Sequence, residues 1–456
     1  MSTSSLSTTT VANRFERLPV TSYQRAIFLV IATAWLFDSM DLGMMSFVLG
    51  SIRTDLHLST ALTGVLGSAS FLGMFIGAGL SGLLADRFGR CAVFQWSMVV
   101  WGLGSFLCAF ASDLNALLAF RMLLGVGMGM EFPVGQAILA EFMPAGERGR
   151  YVALLEGFWP IGFICAGLSS YFILPRWGWR GAFFALGITS VFVMIVRRFV
   201  PESPRWLETR GRIEEASELM ETIERKVELA HGAPLPEAAT DSVSEIQANG
   251  SGAFRELWKG RYAKRTVMLW LLWFFALLGY YGLTTWLSAL LEQAGFAVTK
   301  SVFYTILISL AGIPGFLVSA WLVEKWGRKR TCLLTLLGSA CMAYMYGHVV
   351  GHGGNPTAFI PYGLGMQFFM FGMWSVLYAY TPELYPTRCR ATGGGFASAV
   401  GRIGSLIGPY VVGLILPSTG QSGIFAIGAG CFAVAAVVVW VLGVETKGQL
   451  LEKVSP

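Results

Sequence analysis

Two acids, Asp38 and Asp41, stand in the middle of an apolar run, residues 23–51 (YQRAIFLVIATAWLFDSMDLGMMSFVLGS), that is long enough to cross a bilayer. A spanning helix needs about 20 apolar residues, and a carboxylate in hydrocarbon costs about 2.5 to 3.5 kcal/mol on insertion scales. Spaced i, i+3, the two carboxyls share one helix face, which must look into a polar cavity or at a basic partner rather than at lipid. Arg121 is a basic residue at a similar depth: it lies some six residues into a later apolar run that starts outside, and Asp41 lies about nine residues before the outer end of its own run. Desolvation favours the neutral acid, whereas a nearby guanidinium favours the carboxylate. An acid that gains and loses Arg121 as the protein rearranges therefore binds and releases a proton with conformation. Asp41 is the expected proton carrier, Arg121 its counter-charge and Asp38 a second acid. A permanent ion pair that only fixes helix packing is the competing reading.

Arg402 points to the substrate. It stands about eleven residues into its apolar run, roughly 16 Å along a helix and near the bilayer midplane, too deep to reach water by snorkelling. A planar guanidinium with a fixed fork of donors suits a carboxylate, and no acid in the last six apolar runs lies at comparable depth to pair with it. The pattern calls for an anionic ligand, against the alternative that carbonyls or the intramembrane acids Glu131 and Glu156 satisfy the arginine. Tyr280, Tyr281 and Trp286 in the seventh run, with Gln367, Trp374 and Tyr378 in the tenth, offer flat faces and donors that can hold an aromatic ring. The bland reading of these aromatics is packing or interfacial anchoring.

These residues need membrane helices to position them. The 456 residues are 54% hydrophobic and only 13% charged, half the charge of an average soluble protein. Twelve helices are predicted, at 23–50, 60–85, 91–111, 115–141, 150–173, 178–199, 266–291, 301–323, 331–350, 357–380, 391–416 and 422–443. With the N-terminus cytoplasmic, 27 Lys and Arg fall on the cytoplasmic side, 4 outside (Arg53, Arg176, Arg180, Lys300) and 2 within spans (Arg121, Arg402). That asymmetry sets the orientation and accounts for the net charge of +6 without nucleic acid. The chain divides into a cytoplasmic tail (1–22), a six-helix bundle (23–199), a cytoplasmic linker (200–264), a second six-helix bundle (265–443) and a cytoplasmic tail (444–456). Within the linker, the stretch HGAPLPEAATDSVSEIQANGSG is expected to be loosely held. The first 20 residues lack an apolar core and cleavage site, so no removable signal is expected. Seven scattered cysteines form no CxxC or metal spacing, and His57, His231, His348 and His352 lie in or near loops, so no metal, disulfide framework or cofactor is expected. GVGMG at 125–129 lies inside a span, where small residues allow close helix packing rather than phosphate binding.

The halves repeat. GLLADRFGR (82–90) returns as AWLVEKWGRKR (320–330), EFMPAGERGR (141–150) as ELYPTRCR (383–390), and PESPRW (201–206) as VETKG (444–448), about 240 residues apart. Parallel repeats of six helices imply two similar bundles about an axis along the membrane normal, with a substrate site between them at mid-membrane. On these motifs, with PELYPTR, the whole chain resembles the major facilitator superfamily, near the sugar porters and the organic-ion and synaptic-vesicle-type transporters. It departs at Cys91, Ala320 and Val444, which replace a basic residue, a glycine and a proline of the family pattern. LFDSMDLGMMSFVL in helix 1 and GMEFPVG in helix 4 are most similar to bacterial niacin (nicotinate) permeases, and an altered two-acid signature also occurs in aromatic-acid/proton symporters.

The resemblance implies an all-α fold of twelve membrane helices in two pseudo-symmetric bundles, alternating access, and a multi-pass monomer in the bacterial inner membrane with both termini cytoplasmic. It matches Asp41 and Arg121 to the acid and arginine used for proton coupling, and Arg402 to a position lining the sugar site. Glu156 stands where sugar porters carry a glutamine that contacts sugar, and their paired glutamines of helix 7 are missing, so hexoses are not expected. It also implies a cytoplasmic gate of charge clusters: Asp86, Arg87, Arg90, Glu324 and Arg328 with Glu147, Arg148, Glu383 and Arg388. The expected function is proton-coupled import of a small aromatic carboxylate, nicotinate first, driven by the proton gradient alone. A benzoate- or hydroxycinnamate-type acid, and a non-transporting receptor on the same scaffold, are the alternatives. No nucleophile elbow, His/Cys cluster or cofactor motif points to an enzyme.

Overall fold

In the computed structural model of the chain, residues 11–237, 254–353, 355–385 and 387–447 are described, and regular structure among them is helical. Residues 238–252 of the loosely held stretch of the linker, and Ala253 after it, lie outside the described residues. Short helix α1 (Val11–Glu16) precedes the first spans, α2 (Ser22–Asp55), α3 (Thr60–Phe88), α4 (Arg90–Cys108) and α5 (Leu114–Phe142). The fifth and sixth spans are built from α6 (Ala145–Glu156), α7 (Phe158–Thr189) and α8 (Val193–Phe199). After α9 (Pro204–Thr209) and α10 (Ile213–His231), the second half runs through α11 (Arg261–Gln293), α12 (Val298–Ser309), α13 (Gly312–Trp326), α14 (Arg328–Gly351), α15 (Pro356–Glu383) and α16 (Thr387–Leu442).

Two of these runs reverse direction at a glycine. Gly178 in α7 and Gly420 in α16 sit at φ 61° and 65°, a left-handed setting that a side chain resists, and each splits its run into two spans, giving twelve. Both lie in the same sequence frame, LPRWGWRGAF and LPSTGQSGIF, so this too is a repeat of the halves. It was missed in the sequence because the second copy carries no charge.

Helix starts are fixed by local chemistry where the chain allows it. Thr21 and Gln24 form a capping box at α2, Ser59 and Asp113 cap α3 and α5, and Asn355 caps α15. No neighbouring side chain caps α4 or α14, which begin at Gly89 and Gly327 with φ 104° and 102°. Their free amides are met from far along the chain. Glu202 accepts from Arg90 and Cys91 at 2.9 and 3.0 Å, and Glu445 accepts from Arg328 at 2.8 Å.

Small residues bring the first-half helices together. A Cβ on Gly125 or Gly129 would lie 2.1 or 2.2 Å from the carbonyl oxygens of Ser70 and Met74, so GVGMG is where α5 packs backbone to backbone on α3. The same device closes the two halves on each other at one end. Gly64 lies under the Pro409 carbonyl and Gly413, Gly67 against Pro409 and Thr285, and Gly50 against the carboxylate of Glu292. This closed end is opposite the end bearing α1, α9 and α10, called the linker end below.

At the linker end, α1 is a docked element rather than a loose tail. Val11, Phe15 and Leu18 are buried with Met220, Ile223 and Val227 of α10, and Phe15 meets Phe142 edge-on at 5.6 Å. Arg14 and Arg17 both reach Glu224 at 2.7 Å. Burial works against the Glu224 charge, but the hydrogen bonds and charges of the two arginines prevail and hold its carboxyl below the ordinary range.

Candidate functional site

The acids of α2 sit in unlike surroundings although one helical turn separates them. Asp41 is fully partnered: Arg121 of α5 donates to it at 3.0 Å, Ser105 of α4 at 3.3 Å, and the Phe183 ring lies 5.5 Å from the guanidinium carbon. Both charged residues are buried, at 1% and 0% exposure. Asp38 is equally buried, yet neither carboxyl oxygen has a hydrogen-bond partner. Glu131 faces it from α5, with one oxygen on the Trp101 indole at 2.8 Å and the other unpartnered.

Arg402 enters this region from the other half. Its guanidinium carbon stands 5.4 Å from the ring centre of Phe132 of α5, a cation–π contact across the seam between the bundles. It is half-buried and makes no hydrogen bond or ion pair among the described residues. Its charge reaches Asp38 and Glu156 of the first half and Tyr281 and Tyr378 of the second. Glu156 is held by the Gln136 amide at 2.9 Å.

Aromatic rings surround the arginine. Tyr281 packs on Phe71 of the first half at 4.6 Å and perpendicular to Tyr280 at 5.0 Å. Trp374 stacks on Tyr378 at 5.9 Å and 23°, and meets Tyr280 at 5.4 Å and 90°. Tyr378 is 38% exposed although Trp273, Trp374 and the Arg402 charge surround it, so the surface it exposes belongs to an internal cavity. Beside it, toward the closed end, a narrow chamber is lined by Ser39, Phe71, Arg121, Trp159, Tyr280 and Tyr281, among others.

Two expected ring-binding residues are turned elsewhere. Trp286 is buried and donates its indole N–H to the Pro409 carbonyl at 3.0 Å. Gln367 is buried with both amide atoms unpartnered and does not line the chamber. Phe132, Phe71 and Trp159 were not foreseen. Aromatics abound in this sequence, and only the crossing of the bundles selects these three.

The linker-end charges form two matching clusters, each within its own half. Arg90 pairs with Glu141, which also accepts from Ser203. Arg328 pairs with Glu383 at 2.8 Å and Glu324 at 2.9 Å, and Thr446 donates to Glu383 at 2.6 Å. Asp86 offers its backbone carbonyl to the Trp206 indole at 2.8 Å, and Arg87 lies over the Phe88 ring. Glu147 pairs with Arg150 and Arg148 with Glu16, away from Arg90, and the Arg388 side chain lies outside the described residues. Glu141, Glu202, Ser203, Glu445 and Thr446 were not singled out as cluster members, although all five lie inside the repeated motifs.

Twelve spans in two repeated bundles, with a polar and aromatic cavity on their seam, agree with the comparison to known families. The pattern of sugar (and other) transporters matches residues 7–456. The chain belongs to that family. It is a membrane transporter of the major facilitator superfamily, not an enzyme. It is similar to the niacin transporter NiaP of Acinetobacter baylyi, 39% identical over 97% of this chain and 99% of the relative. The 4-hydroxybenzoate transporter PcaK of the same organism is 29% identical over 87% and 86% of the two chains. Among solved structures, the xylose transporter XylE of E. coli in a partially occluded inward-open conformation shares the fold, with a TM-score of 0.77, 21% identity, and coverage of 94% and 100%.

Proposed function

We propose that this transporter imports nicotinate with protons across the bacterial inner membrane by alternating access, as a monomer with the linker end and both termini in the cytoplasm. The observation that carries the reading is Arg402, a guanidinium at the seam of the two bundles, in no ion pair with an acid among the described residues and bordered by aromatic rings. A carboxylate supplies the charge it lacks, and bidentate hydrogen bonding would fix the orientation of the acid. Tyr281, Tyr378, Trp374 and Tyr280 would enclose the ring, and Glu156 and Glu131 would set the polarity of the wall. The likeness to NiaP supports nicotinate over other acids, and the acids of helix 1 support coupling to protons.

The paired clusters at the linker end are assigned to the cytoplasmic gate. Isolated exposed pairs contribute about 0–1 kcal/mol, so it is the network around Glu141 and Glu383 that biases opening. A second reading keeps the mechanism and changes the cargo to a benzoate-type acid, favoured by the likeness to PcaK and by the hydroxyl groups of Tyr280, Tyr281 and Tyr378 about the ring site.

The test is uptake of radiolabelled nicotinate into proteoliposomes with and without an inward proton gradient, competed with nicotinamide and benzoate. Gradient-driven uptake blocked by nicotinate far better than by nicotinamide is expected. Equal competition by nicotinamide would remove Arg402 from the carboxylate site, and stronger competition by benzoate would move the cargo to the second reading.

A further inference from the structure

One turn of α2 carries an acid whose charge is fully met and an acid that nothing meets. Asp41 accepts hydrogen bonds from Arg121 and Ser105 within the first bundle, so the pair can travel with that bundle through a rearrangement without being broken. Asp38 is buried at 0% exposure with both oxygens unpartnered. An ionised carboxylate stripped of water and of every donor is untenable, so here the acid holds its proton. The groups that face it are Glu131 from α5, Asp41 on its own helix and Arg402 from α16. Glu131 shares the problem, with one oxygen on Trp101 and one bare, and the Asp41 charge is spent on Arg121. Among the described residues, the cation that faces Asp38 is thus Arg402, and it belongs to the opposite bundle.

We propose that Asp38 carries the coupled proton by competing with the substrate carboxylate for Arg402, while Asp41 and Arg121 remain a fixed pair. This rests on the reading of the protein as a nicotinate importer and shifts the proton from Asp41, expected from the sequence, to Asp38. In the ligand-free, outward-facing carrier, ionised Asp38 pairs with Arg402 across the seam. A proton from the outside converts Asp38 to the carboxyl form and releases Arg402, which then accepts the nicotinate carboxylate. On the inner side nicotinate leaves, the Asp38 proton follows it into water, and the Asp38–Arg402 pair reforms for the return. One proton and one monoanion cross together, so no net charge moves. The present arrangement, with Asp38 unpartnered, Arg402 free and the far end closed, is the protonated intermediate of that cycle.

The experiment measures nicotinate affinity of the purified full-length protein between pH 5.5 and 8.5, for wild type, Asp38→Asn and Asp41→Asn. Where the Asp38–Arg402 pair is formed, wild-type affinity should weaken on the order of tenfold per pH unit, since binding takes up one proton. Asp38→Asn should bind with an affinity that no longer varies with pH, because Arg402 is never sequestered. A pH slope that survives Asp38→Asn, or one lost in Asp41→Asn but not in Asp38→Asn, overturns the proposal. Should Asp38→Asn fail to fold, the wild type decides alone: in weak buffer near pH 7.5, nicotinate binding should draw close to one proton from solution, and no uptake overturns the assignment. If wild type does not bind nicotinate, the substrate reading falls instead, and the same titrations with benzoate test the proton seat.

Discussion

Arg328 and Glu383 meet at 2.8 Å, and Arg90 and Glu141 form the same pair in the other half. In both halves a hydroxyl from the segment after the last span, Thr446 or Ser203, closes on the acid, while the glutamate just before it, Glu445 or Glu202, caps the helix that carries the arginine. Each cluster ties three stretches that are remote in sequence.

The caps are the parts of these clusters with a direct stability cost. Glu202 satisfies three amides of the helix start, those of Arg90, Cys91 and Ala92, with a charged acceptor, and such bonds contribute about 1.5–3 kcal/mol. Glu202→Ala should therefore lower the melting temperature of the purified protein more than Glu147→Ala, whose partner is a solvent-facing arginine. Equal melting curves would show that the cap contributes nothing.

Closure of the far end depends on glycines with different tolerances. A Cβ on Gly64 would stand 2.8 Å from the Pro409 carbonyl oxygen, which is backbone, whereas a Cβ on Gly50 would meet the side chain of Glu292, which can swing away. Gly64→Ala should hold the far end open, cut uptake by about tenfold (about 1.4 kcal/mol) and raise labelling of a cysteine placed at Thr285 by an impermeant reagent. Gly50→Ala should do neither. Identical behaviour of the two variants would remove the α3–α16 contact from the gate.

Arg402 lies on a ring face and pairs with no acid among the described residues, so replacing it should affect the ligand more than the fold. Arg402→Ala should weaken nicotinate binding by roughly tenfold to a hundredfold, the equivalent of about 1.5–3 kcal/mol for charged hydrogen bonds, with little change in melting temperature. Arg402→Lys should recover part of the affinity, since the charge remains and the fork does not. Calorimetric titration with nicotinate checks both.

Much of this architecture was legible in the sequence because it is written in apolar length and in charge. Twelve runs gave the spans, and the charged repeats gave the two halves. The depths of Arg402, Arg121 and Asp41 are expectations that rest on counting residues along a helix. Partners were another matter. Nothing in the spacing of Asp38 and Asp41 reveals that only one of them is met by a donor, because the donors arrive from α4 and α5 through packing. For the same reason Glu147 and Arg148 looked like gate partners of Arg90, whereas the acid it finds is Glu141, six residues earlier on the end of a span. The docking of α1 was hidden as well, since a six-residue helix of mixed composition acquires an apolar face only when α10 is set beside it.

That docking should respond to pH in a defined direction. The Glu224 carboxyl is held below its ordinary value of 4.5 by Arg14 and Arg17 when α1 is docked. A depressed acid contributes stability that is fully present above the undocked value and is lost as pH falls through the docked one. Docking should therefore be constant from neutral pH down to about 5 and weaken below about 4.5, as the carboxyl is forced to protonate. Protection of the amides of residues 11–18 against hydrogen exchange, taken relative to the intrinsic rate at each pH, should fall in that range, while that of the buried spans does not. Glu224→Gln should show the acid-end protection already at pH 7 and lose its pH dependence. If exchange of this segment is indifferent to both pH and the substitution, apolar contacts such as Phe15 on Phe142 hold α1 without the ion pairs.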